Sequence, residues 1–566
     1  MKEKIQKILE KLGIKESLQK ANQKYADFTL TYFKQPEKAQ EIAKKLQGKI
    51  EGVEVSVIES YVNFSIKPEF LASHIVKEIL EKKEKYGSSK KGEGESVVVD
   101  YSSPNIGKPL HVGHIRSTVI GDSIIKILNF SGYNTKGINY INDVGLHIGK
   151  IIAAYQLWGD DKKIEKNPEK ELLKLYVKYC KKEKFEVGEE LRKTPDKEDL
   201  EKGENKWAKK AKEILLKLEQ GDKKTVKIWK KIEKFSLQSF NKIYKLLDVK
   251  FDETIGSSNF SEKGKEIVEL LLRKGLAYKS KDGAVIVKLE EKKLPDKVVL
   301  RSDGTALYST QDLGAAVTRY ARLKFDKMVY VVGSEQKTYF KQLFQIFKLL
   351  DYKWADSCYH LAFGLLSIGK ERISTRAGKV IFLEDVLKEA IRLAEQEIKK
   401  KNPKLKNKKA VAEAVGIAAL KYSILGVEPI KDIAFSYERA ISFEGDTGPY
   451  LQYAYARASS ILRKAKKTGK IRKKLNLSLL TEKAEQQLIK KLGDFPFICE
   501  SACKQLKPDL IATYAHELAQ IFAEFYHCCQ VIGSEKQGER LALVKATRQV
   551  LGNALSLLGI KALEEM

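Results

Sequence analysis

Cysteine, proline, methionine and long apolar runs are all scarce in this 566-residue chain. The six cysteines, Cys180, Cys358, Cys499, Cys503, Cys528 and Cys529, form no C-x-x-C pair, which argues against a dithiol redox motif and a zinc ribbon. Cys499 and Cys503, four apart on a predicted helix, and the later His527-Cys528-Cys529 leave a zinc site open, but reduced thiols in a helical core are the better reading. Only 12 Pro and 37 Gly are present, which excludes a collagen-like or linker-rich chain. No stretch approaches the ~18 uninterrupted apolar residues of a membrane span. The opening MKEKIQKILEKLG has no apolar core, so it does not read as a secretory signal, and the expected location is cytoplasmic.

What the chain has is a core and a charge. Hydrophobic residues make up 43% and aromatics 9%, enough to exclude disorder, and at ~150 residues per domain the length suggests three or four domains. Lys and Arg number 105 against 75 Asp and Glu, a net charge of +30. Such a surplus attracts polyanions and displaces their counterions. A lysine-rich proteome gives the same surplus, and both can hold.

Residues 1–90 read as a small α+β module, with β-like runs at Val53–Ile58 and Tyr61–Ile66. The polar, Gly/Ser-rich Tyr86–Glu95 reads as a linker. An α/β domain is expected over 96–383. Its first strand is the β-branched Ser96–Tyr101, followed by the loop Ser102–Pro109, a helix from His111 to Phe130 and a strand at Lys136–Asn142. That βαβ order puts a loop at the carboxyl end of a strand, where doubly wound sheets bind nucleotides. A charged helical insertion is expected at about 156–250, with Trp207 and Trp229 as isolated anchors, and a smaller insert at about 280–300 with strands at Ala284–Val287 and Val298–Leu300. The pattern resumes with a helix after Asp303 and the strand Lys327–Gly333. Residues 384–566 read as an all-α bundle with lysine-rich breaks at Lys399–Lys409 and Arg463–Lys474.

The stretch that carries chemistry is Ser102–Ser117, SSPNIGKPLHVGHIRS. His111 and His114 are three apart at a helix start, so their rings share a face. Gly113 between them lets a ring or phosphate approach, and the helix N-terminus adds N–H donors and positive potential. Two imidazoles there suit electrostatic stabilisation of a phosphoryl group. An isolated H-x-x-H is more often structural; the strand–loop–helix frame is what favours function here. Tyr308 and Asp312, four apart on a predicted helix, are either a surface pair or an aromatic and a carboxylate facing a planar cation such as guanidinium.

In sequence, HVGH resembles the HIGH signature of class I aminoacyl-tRNA synthetases, and the longer SSPNIGKPLHVGHIRS resembles its arginyl branch. KGINYINDVGLHIG at Lys136–Gly149, YSTQDLGAA at Tyr308–Ala316, YVVGSEQKTYFKQLF at Tyr330–Phe344, TGPYLQYAYARASSILRK at Thr447–Lys464 and the segment Phe525–Met566 follow in the family's order. The resemblance implies a Rossmann-like parallel-sheet catalytic domain with insertions, an N-terminal tRNA-binding module and a C-terminal anticodon-binding bundle. It implies activation of L-arginine by ATP with Mg2+, transfer to the 2′-hydroxyl of the terminal adenosine of tRNA(Arg), and no built-in metal or membrane contact; a monomer is expected.

By the same resemblance, catalysis falls to His111, His114, Lys108, Arg372 and Arg376, and ATP binding to Gly113, the two histidines, Ser374 and Lys379. Arginine binding falls to Ser103, Pro104, Asn105, His114, Tyr308, Asp312 and Gln336, and tRNA binding to Tyr450, Arg457 and Arg463. The second family signature, KMSKS, is represented by Arg372-Ile373-Ser374-Thr375-Arg376, with Thr375 at the second lysine and Lys108 as a compensating charge. Asp143 either balances charge in the crevice or caps a strand end. Tyr453 reads as bundle core. His147 stands where the family commonly has glutamine, and Tyr339 and Tyr455 where it commonly has histidine; no role carries over to them. A cysteinyl enzyme would need a zinc-type cysteine set, a small-metabolite nucleotidyltransferase would not need the basic helical half, and a non-catalytic RNA-binding relative should have lost the histidines or the Tyr308/Asp312 pair.

Overall fold

The β-branched run Ser96–Asp100 forms the middle strand of a five-stranded sheet, buried because helices cover both faces. The sheet runs Cys358–Phe363, Lys327–Gly333, Ser96–Asp100, Asn134–Ile141, Glu253–Gly256, with every pairing parallel. Asp100 pairs with Ile138 on one side and Tyr330 on the other. The chain builds one side first and returns to the other later, so the strand order reverses at Ser96–Asp100 and opens a crevice at its carboxyl end. The computed structural model describes residues 2–21, 26–33, 35–193, 205–368, 381–468 and 475–566.

Five helices, Leu146–Trp158, Asp161–Lys166, Pro168–Lys193, Lys206–Glu219 and Lys223–Leu246, separate two neighbouring strands of this sheet. The insertion's tryptophans are not isolated. Trp207 packs on Trp158 and Tyr179 with ring centroids 5.7 and 5.1 Å apart, and Trp229 Nε1 donates to the Asp143 carbonyl at 2.7 Å. The smaller insert is a three-stranded antiparallel sheet of Ala277–Lys279, Val285–Val287 and Lys297–Leu300. Its first strand was not anticipated, being too short for alternation to register.

The N-terminal residues form a four-stranded antiparallel sheet ordered Gln19–Lys20, Phe28–Thr31, Tyr61–Ile66, Val53–Ile58, with helices Lys2–Lys11, Pro36–Leu46 and Pro68–Lys82. The C-terminal third is built from the helices Leu383–Lys401, Lys408–Leu425, Gly448–Thr468, Lys483–Gln505, Asp509–Cys528 and Gln537–Leu557. It is not purely helical, because Ile433–Phe435 pairs in parallel with Leu366–Ile368. The break expected over Arg463–Lys474 is still helix up to Thr468, and its remainder lies outside the described residues. Among the described residues no helix is long and apolar enough to cross a membrane.

Arg116, two residues past the second signature histidine, is fully buried. Its Nη1 donates to the carbonyls of Leu365 and Lys431 at 3.1 and 2.8 Å, and its Nη2 to that of Pro429 at 2.9 Å. One side chain thus joins the Val112–Phe130 helix, the strand preceding residues 369–380 and the helical third.

The polar Tyr86–Glu95 stretch is not a loose linker. Ser89 N and Gly92 N donate to the carbonyls of Phe130 and Ser131, each at 3.1 Å. Tyr86 is buried at 2% exposure, and its hydroxyl donates to the Leu492 carbonyl at 3.1 Å. Pro496 lies inside the Lys483–Gln505 helix and has no N–H for the carbonyl four residues earlier, that of Leu492. Tyr86 supplies the missing donor. Tyr86→Phe keeps the ring and strands a buried carbonyl, so stability should fall by about 1–3 kcal/mol. Chemical denaturation measures this, and an unshifted midpoint would mean another donor serves Leu492.

Candidate active site

The crevice at the end of Ser96–Asp100 is floored by the turn that follows it. Ser102 and Ser103 both have positive φ, 72° and 49°, which side-chain-bearing residues adopt at a cost. Neighbours hold them there. Ser102 N donates to Ser117 Oγ at 2.9 Å, its hydroxyl meets that of Tyr244 at 2.8 Å, and Ser103 N donates to Asn139 Oδ1 at 3.2 Å. Asn142 continues the support, its N–H donating to the Pro104 carbonyl at 2.9 Å and its carbonyl accepting from Ile106 N at 3.1 Å. Asn105 forms a bridge to Asn142. Gly107 N donates to Ser236 Oγ at 2.8 Å.

His111 is the N-cap of the Val112–Phe130 helix. Its Nδ1 accepts from Gly113 N, while His114 Nδ1 accepts from His111 N, both at 3.1 Å. This reciprocal cap satisfies two helix N-terminal donors with imidazoles in place of the usual oxygens. With Nδ1 accepting, each neutral ring carries its proton on Nε2. The ring centroids lie 3.9 Å apart. Burial, then the charge of Lys108, pushes His111 down to about 4. Burial holds His114 well below its ordinary value, with His111 and Lys108 adding to the effect. Both rings are therefore neutral N–H donors at neutral pH. A Cβ on Gly113 would stand 2.9 Å from His111 Cε1, so the room that glycine provides is occupied by His111's own ring.

Lys108 is half-buried, its ammonium 4.3 Å from the centroid of Tyr176 on the helical insertion. The residues Arg372, Ser374, Thr375, Arg376 and Lys379 lie outside the described residues.

Tyr308 and Asp312 lie on the helix Tyr308–Leu323. Tyr308 is 47% exposed, and its hydroxyl lies 3.1 Å from His147 Nδ1. Burial pushes the half-buried Asp312 up to about 6, against a hydrogen bond donated by the Tyr339 hydroxyl; Asp100 adds to the rise and Arg319 opposes it. The same helix carries Arg319, whose Nη1 donates to Asp100 Oδ2 at 2.7 Å with both side chains buried. Asp100 Oδ1 accepts from Ser103 Oγ at 2.7 Å. Ser103's hydroxyl is thus directed at the strand end. Gln336 is exposed in the short turn Ser334–Gln336 after Lys327–Gly333.

Asp143 is a structural cap. Its carboxylate accepts from Ser257 Oγ, Ser258 N and Ser258 Oγ at 3.1, 2.8 and 2.6 Å. A Cβ on Gly256 would fall 2.0 Å from Asp143 Oδ2, so glycine permits the approach.

Sequence reasoning missed Asp100, Arg116 and Arg319, and it singled out His147 and Tyr339 only as departures without a role; they contact Tyr308 and Asp312. Signals existed for two of them. Asp100 is a lone acid ending the SVVVD run, and Arg319, seven residues after Asp312, continues its helical face.

At the other end of the molecule Arg457 lies between two exposed tyrosines, 4.8 Å from the Tyr453 ring centroid and 5.3 Å from that of Tyr526. Its Nη2 donates to the Tyr453 hydroxyl at 2.8 Å. Tyr453, expected in the core, is 39% exposed because the 448–468 helix turns it toward Arg457 rather than into the bundle. Tyr450 is half-buried against His516, ring centroids 5.6 Å apart. Arg463 already has partners, the Glu564 carbonyl at 2.8 Å and the Glu565 carboxylate at 3.4 Å. Tyr455 lies beneath Arg548, 5.4 Å from its ring centroid. Cys499 and Cys529 are buried, Cys358 and Cys503 half-buried, and Cys528 exposed, all of them free thiols. Cys529 donates to Glu482, where Arg540 already pairs with both Glu482 and Glu485.

Residues 75–437 match the family described as tRNA synthetases class I (R), catalytic domain, and residues 451–566 match the DALR anticodon binding domain. An arginine–tRNA ligase of Clostridium botulinum (strain 657 / Type Ba4) is 41% identical over 531 residues, covering 93% of this chain and 90% of that protein. One from Clostridium perfringens (strain 13 / Type A) is 40% identical over 532 residues, with the same coverage of 93% and 90%. The solved arginyl-tRNA synthetase of Thermus thermophilus aligns with a TM-score of 0.78 at 25% identity, covering 100% of this chain and 99% of its own. That of Plasmodium falciparum shares the fold, with a TM-score of 0.75 at 24% identity over 100% and 99%. With paired imidazoles capping the first helix of a switch-point crevice, and relatives alike over nearly their whole length, the chain belongs to the arginyl-tRNA synthetase family of class I aminoacyl-tRNA synthetases.

Proposed function

We propose that the protein joins L-arginine to tRNA(Arg) in two steps. The arginine carboxylate attacks the α-phosphorus of ATP, which enters with Mg2+, giving arginyl-adenylate and pyrophosphate. The 2′-hydroxyl of the terminal adenosine then attacks the arginyl carbonyl and AMP leaves. The observation that carries the reading is the single anchor joining both halves of the crevice: Asp100 holds the turn leading to His111 and His114 through Ser103, and the Tyr308/Asp312 helix through Arg319.

In this reading the Nε2–H groups of the two neutral histidines donate to phosphate oxygens as charge builds in the transition state. Asp312 faces the guanidinium and Tyr308 covers it, as a planar cation with five donors requires. Ser103, Pro104, Asn105 and Gln336 line the rest of the arginine site. Ser103 and Pro104 act through the backbone geometry of the turn, since the Ser103 hydroxyl is engaged by Asp100. Lys108, with Arg372, Arg376 and Lys379, supplies charge to the triphosphate, and Ser374 a hydroxyl donor. Residues 1–90 and 384–566 are proposed as the tRNA-binding module and the anticodon-binding domain. The exposed Tyr453–Arg457–Tyr526 stack suits unpaired bases. Tyr450 borders it, whereas Arg463 has its charge taken by Glu565.

Replacing His111 or His114 with Ala should slow single-turnover activation on the order of 10²–10³-fold, with arginine affinity suffering more for His114. Parental rates in both variants would remove them from the mechanism. Asp312→Asn leaves a covered guanidinium unpaired at a cost of about 3–5 kcal/mol; arginine KM should rise steeply while ATP KM barely moves, and an unchanged arginine KM would displace Asp312 from the pocket.

The function as a whole is tested by pyrophosphate exchange into ATP with each of the twenty amino acids, with and without tRNA. Arginine alone should support exchange, and only with tRNA present. Thr375 stands where a lysine would neutralise pyrophosphate, and tRNA bridging the helical third and the crevice favours the productive register. Equal exchange without tRNA would place the compensation in preformed groups such as Lys108.

A further inference from the structure

The central carboxylate of the proposed arginine pocket is touched by a residue from a neighbouring helix. Tyr339 lies on the helix Lys337–Leu349, and its hydroxyl donates to Asp312 Oδ2. The ring is fixed from two sides. Phe340 packs against it edge-on with centroids 5.4 Å apart, and the Lys297 ammonium lies 4.6 Å from its centroid. Tyr339 is half-buried and bonds to a group that the proposed reaction uses, so its hydroxyl has one evident task.

We propose that Tyr339 is a positioning residue for arginine selection: its hydroxyl holds the Asp312 carboxylate ionised and turned to receive the guanidinium. The proposal rests on the reading of Asp312 as the guanidinium partner. A phenol donating to a carboxylate stabilises its charged form and occupies one oxygen, leaving the other for the incoming N–H groups.

The need for such a donor follows from what surrounds Asp312. On its own helix are Arg319, two turns on, and Tyr308, one turn back. From the middle strand comes the negative charge of Asp100, from Asn134–Ile141 the Tyr140 ring, from Lys327–Gly333 the Tyr330 ring, and from Lys297–Leu300 the Lys297 ammonium. Arg319 is committed to Asp100 at 2.7 Å, so its charge is largely spent there. Lys297 sits over the Tyr339 ring. Burial, with Asp100, pushes Asp312 up to about 6; Tyr339's hydrogen bond is the largest opposing influence, with Arg319 and the Tyr140 hydroxyl acting in the same downward direction. Removing that bond moves the carboxyl higher, into the pH range where the enzyme works. The sign is fixed: arginine binding needs the charged form, so affinity falls as pH drops through the carboxyl's pKa, and in Tyr339→Phe the fall begins at higher pH.

The test is the pH profile of kcat/KM for arginine from pH 5.5 to 9, measured by tRNA aminoacylation with saturating ATP and tRNA, for parent, Tyr339→Phe and Asp312→Asn. Tyr339→Phe should move the acidic midpoint up by about one pH unit, an approximately tenfold loss below the midpoint that shrinks toward none at pH 9, with ATP KM unchanged. A midpoint in the parent position, or an equal loss at every pH, overturns the proposal, because a merely structural tyrosine lowers affinity uniformly. Asp312→Asn separates the two readings. Loss of the acidic limb and of arginine affinity at every pH upholds the pocket, whereas parental arginine KM in that variant sinks the pocket itself. Should Tyr339→Phe not accumulate as folded protein, Tyr339→His places an N–H donor in reach of the same oxygen; its midpoint should lie at or below the parent's, and a higher one overturns the proposal.

Discussion

The buried ion pair between Asp100 and Arg319 is the interaction on which the crevice depends. Two ions taken from water are tolerated only when each finds further partners, and removing one member of such a pair costs about 3–5 kcal/mol. Asp100 gains Ser103 Oγ as a second donor. Arg319 has its guanidinium 4.7 Å from the centroid of Tyr140, a cation–π contact that partly replaces water. Strand, turn and helix thereby meet at one point, and the histidine-bearing turn and the Tyr308/Asp312 helix cannot drift apart without breaking it.

A second junction works at longer range. Arg116 donates to three carbonyls on segments that the short parallel pair of Leu366–Ile368 with Ile433–Phe435 also joins, and two of these carbonyls, those of Leu365 and Pro429, accept backbone N–H groups of Ile433 and Gly364 as well. Nearby, Lys421 of the helical third donates to the Gly559 carbonyl at 2.6 Å, and Ser123 of the signature helix to that of Leu557 at 2.8 Å. The signature helix is therefore a shared wall, with the sheet on one side and the bundle on the other. This is why it is apolar around much of its circumference rather than along one stripe.

Local pattern was readable where it spanned enough residues. The strands Val53–Ile58, Tyr61–Ile66 and Lys327–Gly333 and the helix from His111 to Phe130 are where periodicity puts them. Composition misled where partners decide. The 86–95 stretch is polar because it is partly exposed, yet its backbone donors are taken by Phe130 and Ser131. Ile433–Phe435 is only three residues long and exists because Leu366–Ile368 lies beside it. In the site, spacing revealed pairs on one helix, such as His111 with His114 and Tyr308 with Asp312. It could not reveal pairs across elements, such as Asp100 with Arg319 or Tyr339 with Asp312, since nothing in a linear sequence encodes which strand end faces which helix.

The strained turn at Ser102 and Ser103 has a consequence for how the protein is made. Beside the nearby Ser117 and Asn139, two of its supports come from far downstream: Tyr244 is 142 residues beyond Ser102, and Ser236 is 129 beyond Gly107. The carbonyl of Lys431 that steadies the adjoining helix is 315 residues beyond Arg116, and Leu492 is 406 beyond Tyr86. Synthesis proceeds from the N-terminus and domains fold as units, so the nascent chain carries its signature histidines without the full set of contacts that shape their turn until Tyr244 has been made. Arg116 gains the Lys431 carbonyl later still, so the helix that carries the histidines is seated against the helical third only after residue 431 has been made.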